Sequence, residues 1–388
     1  MTTALQIGFI PLIDAAALIT AVEKGFAKAE GLDVTLVREV SWSNVRDKLN
    51  IGLFDAAHIL APVPIASSLG IGHVKVPVVV PLTLNLNGNA ITLSPALYAA
   101  VCAEIDGDPS DPLVTARALS RVVAARRRSG GEPLTFGMTF PFSTHNYLLR
   151  FWMAAGGVDP DEDIRLVVLP PPFMVDSLAG GQVDGFCVGA PWNSIAVDSG
   201  IGRIIHFSSD IVPRAAEKVL ALRQQWAEKN PQTLAALVRA VFRAAEFAEM
   251  PANRHEVAQI LARGEYIGVD SEVILRTLEG RLKVAPDGTI RESSRYLMLA
   301  REDASTPDPL QAAWLYAQMV RWHQTPISSE ALKTAQGVFR PDLYEKALGR
   351  DGTGPTNPQP VTAFAGPAFD PLNIEAYLAA LPGRRHPA

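Results

Sequence analysis

Cysteine is scarce in this 388-residue sequence, which contains only Cys102 and Cys187. The two form neither a zinc-type nor a redox-type spacing, and we expect both to pack as small apolar residues. Charge is scarce as well, since charged residues make up 19% of the chain and the formal net charge is -5. Nucleic-acid binding needs a basic surface that neutralises phosphates, so this balance argues against direct contact with DNA or RNA.

Long apolar runs are also missing. The most apolar stretch, KVPVVVPLTL, is interrupted by Pro77 and Pro81, so no membrane span is expected. The chain enters a predicted strand, LQIGFIPL, directly after Met1-Thr2-Thr3-Ala4, without the charged and apolar regions of a secretory signal. With Met1 as the native start, this beginning predicts a cytoplasmic protein.

Catalytic signatures are absent from the sequence too. We find no G-x-S-x-G, no H-E-x-x-H, no P-loop and no G-x-G-x-x-G after the first strand. The seven histidines show no local metal-ligand spacing. The sequence therefore predicts a protein that is not an enzyme and that needs neither a cofactor nor a metal ion.

Short apolar runs alternate with amphipathic segments through the first half of the chain. This order predicts an α/β lobe with a parallel sheet, in which Asp14 is a plausible N-cap of the first helix. The pattern restarts after the polar stretch CAEIDGDPSDPLV, and consecutive helices follow from about Pro231. A chain of this length suits two lobes, and ligands of such folds bind at the carboxyl ends of strands, where helices begin.

Several loop-to-helix junctions carry groups that suit an anion. Trp42 lies at the start of a helix capped by Ser41 or Ser43, and His145 lies in the first turn of a helix capped by Ser143 or Thr144. Gly189 precedes another helix and lets backbone amides approach a ligand, and LNLNGNAIT brings the amides of Asn85, Asn87 and Asn89.

Each of these residues also has an ordinary structural interpretation. Trp42 can be a core residue, His145 a surface residue of a first helical turn, and Gly189 a packing position. Glu217 and Lys218 precede the strand Val219–Leu222, and taken alone both side chains are expected in solvent. The residues alone thus predict a two-lobed protein with a cleft suited to an anion.

Longer stretches resemble a known family. IGFIPLIDAAALITAVEKGF, SWSNVRDKL, LNLNGNAITLS, FPFSTHNYLLRFWMAAGG, VDGFCVGAPWN and EKVLALRQQWAEKNP together resemble the nitrate- and bicarbonate-binding solute receptors of the NrtA/CmpA type. The resemblance covers about residues 6 to 345. It implies a type II periplasmic-binding-protein fold, with lobe 1 formed by residues 1–92 and 222–388, lobe 2 by residues 93–221, and the C-terminal helices packed on lobe 1.

The resemblance also implies a nitrate pocket. Carried over residue by residue, that pocket consists of Trp42, Asn89, His145, Gly189 and Lys218. Asn89 stands where the transport receptors tend to have Gln, and Ala190 stands where they tend to have an acidic residue. Bicarbonate-binding members are implied to use an acidic residue at the position of Lys218 together with a metal ion, so Lys218 indicates the nitrate class.

Within the family, the predicted cytoplasmic location resembles the nitrate/nitrite sensors of the NasS type. Such a sensor is implied to hold an ANTAR-type antitermination protein (NasT type) when it is free of ligand and to release it when nitrate or nitrite binds. The alternatives are a nitrate receptor of an ABC transporter whose export signal has been removed, and an enzyme similar to the thiamine-pyrimidine synthases. The latter expects a cysteine cluster, which two distant cysteines do not supply.

Overall fold

The computed structural model describes residues 2–352, 354–355 and 358–383, and these form two α/β lobes. Apolar alternation and β-branched residues place the strands much where the sequence predicts them. The strands are β1 (Thr3–Phe9), β2 (Leu32–Arg38), β3 (Ala56–Leu60), β4 (Val78–Asn87), β5 (Asn89–Leu93), β6 (Leu134–Met138), β7 (Ile164–Val168), β8 (Gly185–Gly189), β9 (Arg203–Phe207), β10 (Ala216–Arg223), β11 (Arg281–Lys283), β12 (Ile290–Glu292) and β13 (Leu297–Met298).

The helices cover both faces of the sheets and dominate the C-terminal third. In chain order they are α1 (Ala16–Glu23), α2 (Phe26–Ala29), α3 (Trp42–Ile51), α4 (Pro62–Leu69), α5 (Pro95–Ala103), α6 (Pro112–Arg128), α7 (Thr144–Ala155), α8 (Met174–Ala179), α9 (Trp192–Asp198), α10 (Ser208–Ile211), α11 (Gln224–Lys229), α12 (Pro231–Glu249), α13 (Arg254–Leu261), α14 (Ser271–Leu278), α15 (Pro309–Arg321), α16 (Ser329–Val338), α17 (Pro341–Ala347) and α18 (Ile374–Ala380). Among the described residues, none of these helices combines the length and the hydropathy that a membrane crossing requires.

The sheet of the first lobe has six strands in the order β13-β4-β10-β3-β1-β2. Strands β1, β2 and β3 run parallel, as predicted, but β10 runs antiparallel to both β3 and β4. The sheet is therefore mixed, whereas the alternation of strands and helices predicts a parallel one. The reason is that β4 leaves this lobe and β10 returns to it, so neither is joined to its neighbour by a local helical crossover.

The sheet of the second lobe has five strands in the order β7-β6-β8-β5-β9, with β5 antiparallel to both neighbours. The chain passes between the sheets at Gly88, whose φ of 96° favours glycine, and again between Phe207 and Ala216. The predicted lobe boundaries, 92/93 and 221/222, fall inside β5 and β10. The chain passes from one sheet to the other at the ends of β5 and β10, because each of these strands is hydrogen-bonded along its length within a single sheet.

The C-terminal helices pack on the first lobe, as expected, and the C-terminal region also touches the second lobe. Helix α12 packs against α1 and α2 of the first lobe. The Tyr147 hydroxyl on α7 donates to Gln324 Oε1 at 2.7 Å, and the Arg150 guanidinium lies 5.1 Å from the centre of the Trp322 ring. The hairpin β11–β12 adds a bond from Lys283 to Asp198 of 3.0 Å. The C-terminal region thus spans both lobes.

Candidate functional site

Lys218 lies on β10, an interior strand of the first sheet, with no exposed surface. Its ammonium group is 2.8 Å from Asp14 Oδ2 and 2.8 Å from Glu217 Oε1. Glu217 is equally buried. The expectation that Glu217 and Lys218, taken alone, lie in solvent was therefore wrong. Strand β10 is hydrogen-bonded to β3 on one side and to β4 on the other, so it has no solvent-exposed edge. Its first residues lie between the two lobes.

Asp14 connects Lys218 to two aromatic rings of the first lobe. It lies in a short 3₁₀ turn before α1, and its Oδ1 is 2.8 Å from His58 Nε2. The Trp42 ring centre lies 5.5 Å from that of His58 and 5.4 Å from the Lys218 ammonium, a distance that suits a cation–π contact. The predicted N-cap role of Asp14 was wrong, because its side chain makes no helix-capping bond and binds Lys218 and His58 instead.

Two serine caps hold the aromatic residues in place. Ser41 caps α3 by accepting a hydrogen bond from Asn44 N at 3.3 Å, and Trp42 is the first residue of this helix. Ser143 caps α7 by accepting from Asn146 N at 3.1 Å, so His145 falls in the first turn. Both caps confirm the sequence predictions. Each lobe thus starts a helix at the site.

The second lobe contributes His145, Asn89 and Gly189. His145 Nδ1 lies 3.2 Å from Thr139 Oγ1 and 3.3 Å from Glu217 Oε1. Asn89 Nδ2 donates to Glu217 Oε2 at 2.6 Å. These contacts join the second lobe directly to the carboxylate beside Lys218.

Gly189, the last residue of β8, is paired with Asn89 across the strands. A Cβ at this position would lie 3.3 Å from Asp14 Oδ2 and 3.5 Å from Asn89 Oδ1. A larger side chain would therefore fill the space in front of these two oxygen atoms. We call the whole set the Lys218 cluster; it consists of Asp14, Trp42, His58, Asn89, His145, Gly189, Glu217 and Lys218.

The two carboxylates of the cluster have opposite pKa shifts. Burial opposes ionisation of Asp14, but the charge of Lys218 and the hydrogen bond with His58 together lower its pKa to about 2. Burial raises the pKa of Glu217 above its ordinary value, and the opposing effect of Lys218 does not offset it. The pKa of Lys218 is raised, because Asp14 and Glu217 together outweigh the effect of burial. At neutral pH the cluster therefore holds an ammonium paired first of all with Asp14.

Both histidines of the cluster are neutral at pH 7. Burial, followed by the charge of Lys218, lowers the pKa of His145 well below its usual value. Burial also lowers the pKa of His58, despite Asp14. A neutral imidazole has a single N–H, which His58 uses toward Asp14. On His145 the hydrogen lies on Nε2 when the Thr139 hydroxyl donates to Nδ1, and on Nδ1 when Nδ1 donates to Glu217 Oε1.

Five buried polar atoms of the cluster have no hydrogen-bond partner within the described part of the chain. They are Trp42 Nε1, His58 Nδ1, Asn89 Oδ1, His145 Nε2 and Asp14 Oδ2, the last of which is ion-paired with Lys218. Buried polar groups are nearly always paired, so a concentration of unpaired ones marks a place where a ligand or water belongs. Among the described residues, no group of three or more His, Cys, Asp or Glu side chains is arranged to hold a metal ion.

The structure brings together all five residues of the predicted pocket, which are Trp42, Asn89, His145, Gly189 and Lys218. Sequence reasoning missed Asp14, His58 and Glu217. The only signals for them were a histidine inside the apolar strand FDAAHIL and a carboxylate directly before Lys218. Neither signal indicates on its own that the side chains meet.

The fold and the buried polar cluster between two lobes define a substrate-binding protein of the type II periplasmic-binding-protein class. The crystal structure of the periplasmic nitrate-binding protein NrtA from Synechocystis PCC 6803 is similar, with a TM-score of 0.88, 30% identity and 98% of both chains covered. Residues 1–262 match the NMT1-like family, and the chain belongs to that family.

Two curated relatives extend the comparison. The nitrate/nitrite binding protein NrtA of Synechococcus elongatus is 34% identical over 388 residues, which is 97% of this chain and 85% of that protein. The nitrate import ATP-binding protein NrtC of Synechocystis is 34% identical over 381 residues, which is 96% of this chain. The chain spans only about half of NrtC, 54% of its length.

Proposed function

We propose that this protein binds nitrate and nitrite in the Lys218 cluster and does not act on them as an enzyme. Nitrate is planar, singly charged and weakly hydrated. It therefore suits the face of an aromatic ring, a few N–H donors and one compact ammonium group. Nitrite shares its charge and its need for donors.

The observation that carries this proposal is a pair of ring nitrogens that lack partners among the described residues and lie beside a buried cation. Trp42 Nε1 and His145 Nε2 lack partners among the described residues, and the Lys218 ammonium lies next to the Trp42 ring. Lys218 donates a hydrogen bond to Glu217 Oε1 and is ion-paired with Asp14 Oδ2 at 2.8 Å, so an ammonium with three donors keeps capacity for a ligand. A buried anion needs such compensating donors and charge.

The names of the similar proteins support the same ligand. NrtA of Synechococcus elongatus is named for binding nitrate and nitrite, and the similar crystal structure is of a nitrate-binding protein. CmpC of Synechocystis, named a bicarbonate transport ATP-binding protein, is also 34% identical, over 54% of its length. Lys218 favours nitrate over bicarbonate in this chain, because the bicarbonate class is expected to carry an acidic residue there.

Calorimetry and thermal shift with a panel of anions test the proposal. We expect nitrate and nitrite to bind with one site per chain and to raise the melting temperature, whereas bicarbonate, sulfate and an organic sulfonate do not. A response to sulfonate or bicarbonate without a response to nitrate or nitrite would contradict it.

A regulatory role in the cytoplasm is a second, separate proposal. The lobes touch at the outer edge of the cleft, where the Arg46 guanidinium lies 5.5 Å from the centre of the Phe140 ring and a Cβ on Gly72 would lie 3.2 Å from Phe142. Opening the lobes would separate these groups, so a partner that prefers one arrangement would respond to the ligand.

The partner proposed for this role is an ANTAR-type antitermination protein. A pull-down with such a protein in nitrate-free buffer, repeated with nitrate added, tests it. We expect capture only without nitrate. Capture that does not depend on nitrate would contradict the switch, and no capture at all would favour the alternative role of a receptor for an ABC nitrate transporter.

A further inference from the structure

The Lys218 cluster carries a surplus of negative charge. Two buried carboxylates, Asp14 and Glu217, contact a single ammonium group, and the neighbouring histidines are neutral. When both carboxylates are ionised, one negative charge is left over before any ligand enters. An anion bound in this low-dielectric site would add a second one, which is strongly unfavourable.

The orientation of Asn89 raises the same difficulty. Its Nδ2 is bonded to Glu217 Oε2 at 2.6 Å, so the amide donor is used inside the cluster. Its Oδ1 faces Gly189 and lies 3.5 Å from the position that a Cβ on Gly189 would occupy. This oxygen has no hydrogen-bond partner among the described residues. In this orientation Asn89 presents an acceptor where an anion needs a donor.

One proton on Glu217 removes both difficulties. We propose that Glu217 takes up a proton from solvent when the anion binds, and that this proton turns Asn89 into a donor for the ligand. The new O–H bond forms on Glu217 Oε2 and donates to Asn89 Oδ1, after the amide has rotated to exchange its oxygen and nitrogen. Nδ2 then faces the Gly189 side, and the cluster holds one surplus negative charge, that of the anion.

Glu217 is surrounded by Lys218 on its own strand and by groups from four other parts of the fold. The properties of these groups favour Glu217 as the residue that takes up the proton. Lys218 is held by Asp14 as well, and Asp14 keeps its charge because its pKa is about 2. His145 lies 3.3 Å away but has a lowered pKa, and the Cys187 thiol on β8 has a raised pKa and stays neutral. Asn89 on β5 is uncharged. Burial raises the pKa of Glu217 itself.

This inference rests on the proposed function, and calorimetry separates the two. Nitrate is titrated into the full chain at several pH values in buffers of different ionisation enthalpy, which counts the protons taken up. We expect the count to rise toward one as the pH passes the pKa of Glu217 in the free protein. Above that point the affinity should fall by up to about tenfold per pH unit. Infrared difference spectra should show a protonated carboxyl band appearing with nitrate.

Glu217→Gln mimics the protonated residue and should bind nitrate with no proton uptake and with an affinity that does not vary with pH. Glu345→Gln, at another buried glutamate, is the matched control and should keep the uptake. Absence of nitrate and nitrite binding at every pH would overturn the proposed function and this inference together. Binding without proton uptake, without the carboxyl band, or with uptake that persists in Glu217→Gln would overturn this inference alone. If Glu217→Gln does not fold, the proton count and the infrared band of the unmodified protein decide.

Discussion

The first lobe contributes the charged groups Asp14, Glu217 and Lys218 to the site, whereas the second contributes the neutral groups Asn89 and His145. Within the first lobe, the Lys218 ammonium contacts both carboxylates. The polar atoms of the second lobe reach the same carboxylate from the other side of the cleft. One lobe thus holds an ion-paired centre, and the other brings hydrogen-bond donors to it. We therefore expect substitutions in the first lobe to affect binding more strongly.

Reversing the charge of Lys218 should have the largest effect. In Lys218→Glu, three carboxylates meet without a cation, and we expect nitrate binding to fall below detection, a loss of roughly 3 kcal/mol or more. Calorimetry measures the affinity, and circular dichroism checks that the variant is folded. The exposed Lys333→Glu carries the same charge change away from the cleft and should bind normally. A folded Lys218→Glu with unchanged affinity would refute the assignment of the site.

Asp14 allows the ion-paired centre to be tested by pH. Its folded pKa of about 2 lies below its ordinary value of 3.8, so the stabilisation it provides is complete above pH 4 and is lost as the pH falls toward 2. The shift corresponds to about 2 kcal/mol. Asp14→Asn should be destabilised at pH 7 by an amount of this order and should lack the corresponding loss in acid. Urea unfolding at several pH values measures both, with the exposed Asp33→Asn as control. Equal acid sensitivity in Asp14→Asn and the unmodified protein would contradict the pairing.

The sequence predicts local features of the site well, because helix caps depend on neighbouring residues. Ser41 and Ser143 start the helices that carry Trp42 and His145, and these positions follow from short-range hydrogen-bonding patterns. The resemblance to a family implies that Lys218 lies in a pocket, and the structure buries this residue. Two lobes and a helical C-terminal region likewise follow from the alternation of strands and helices.

The contacts of Asp14, His58 and Glu217 could not be predicted, because they depend on how distant strands pair. Asp14 precedes the first helix, and a carboxylate there looks like a cap. Only the return of β10 beside β3 and β4 brings Lys218 to it. Glu217 and Lys218 are adjacent charged residues at a strand end, a pattern typical of surfaces. Their burial follows from the interior position of β10 in the sheet, which composition does not reveal.

Removing a hydrogen-bond donor of the second lobe should lower the nitrate affinity less than disrupting the ion-paired centre of the first lobe. His145→Phe keeps the shape of the ring but removes its N–H, so we expect nitrate affinity to fall about tenfold, the effect of one hydrogen bond to a charged group. His255→Phe, on an exposed part of α13, should leave the affinity unchanged. A loss in His145→Phe as large as that in Lys218→Glu would show that both lobes contribute equally to nitrate binding.

The two serine caps allow the lobes to be compared by the free energy of unfolding, without any measurement of binding. Ser143 is fully buried, and its Oγ both accepts from Asn146 N and donates to Phe140 O at 2.6 Å. Ser41 is partly exposed and accepts from Asn44 N at 3.3 Å. Because a buried carbonyl left without its donor adds to the lost cap, Ser143→Ala should cost about 2 kcal/mol of unfolding free energy, and Ser41→Ala about 0.5 kcal/mol. Urea unfolding of both variants measures the difference. If Ser41→Ala proved the more costly, the cap of α3 rather than that of α7 would be the more important support of the site.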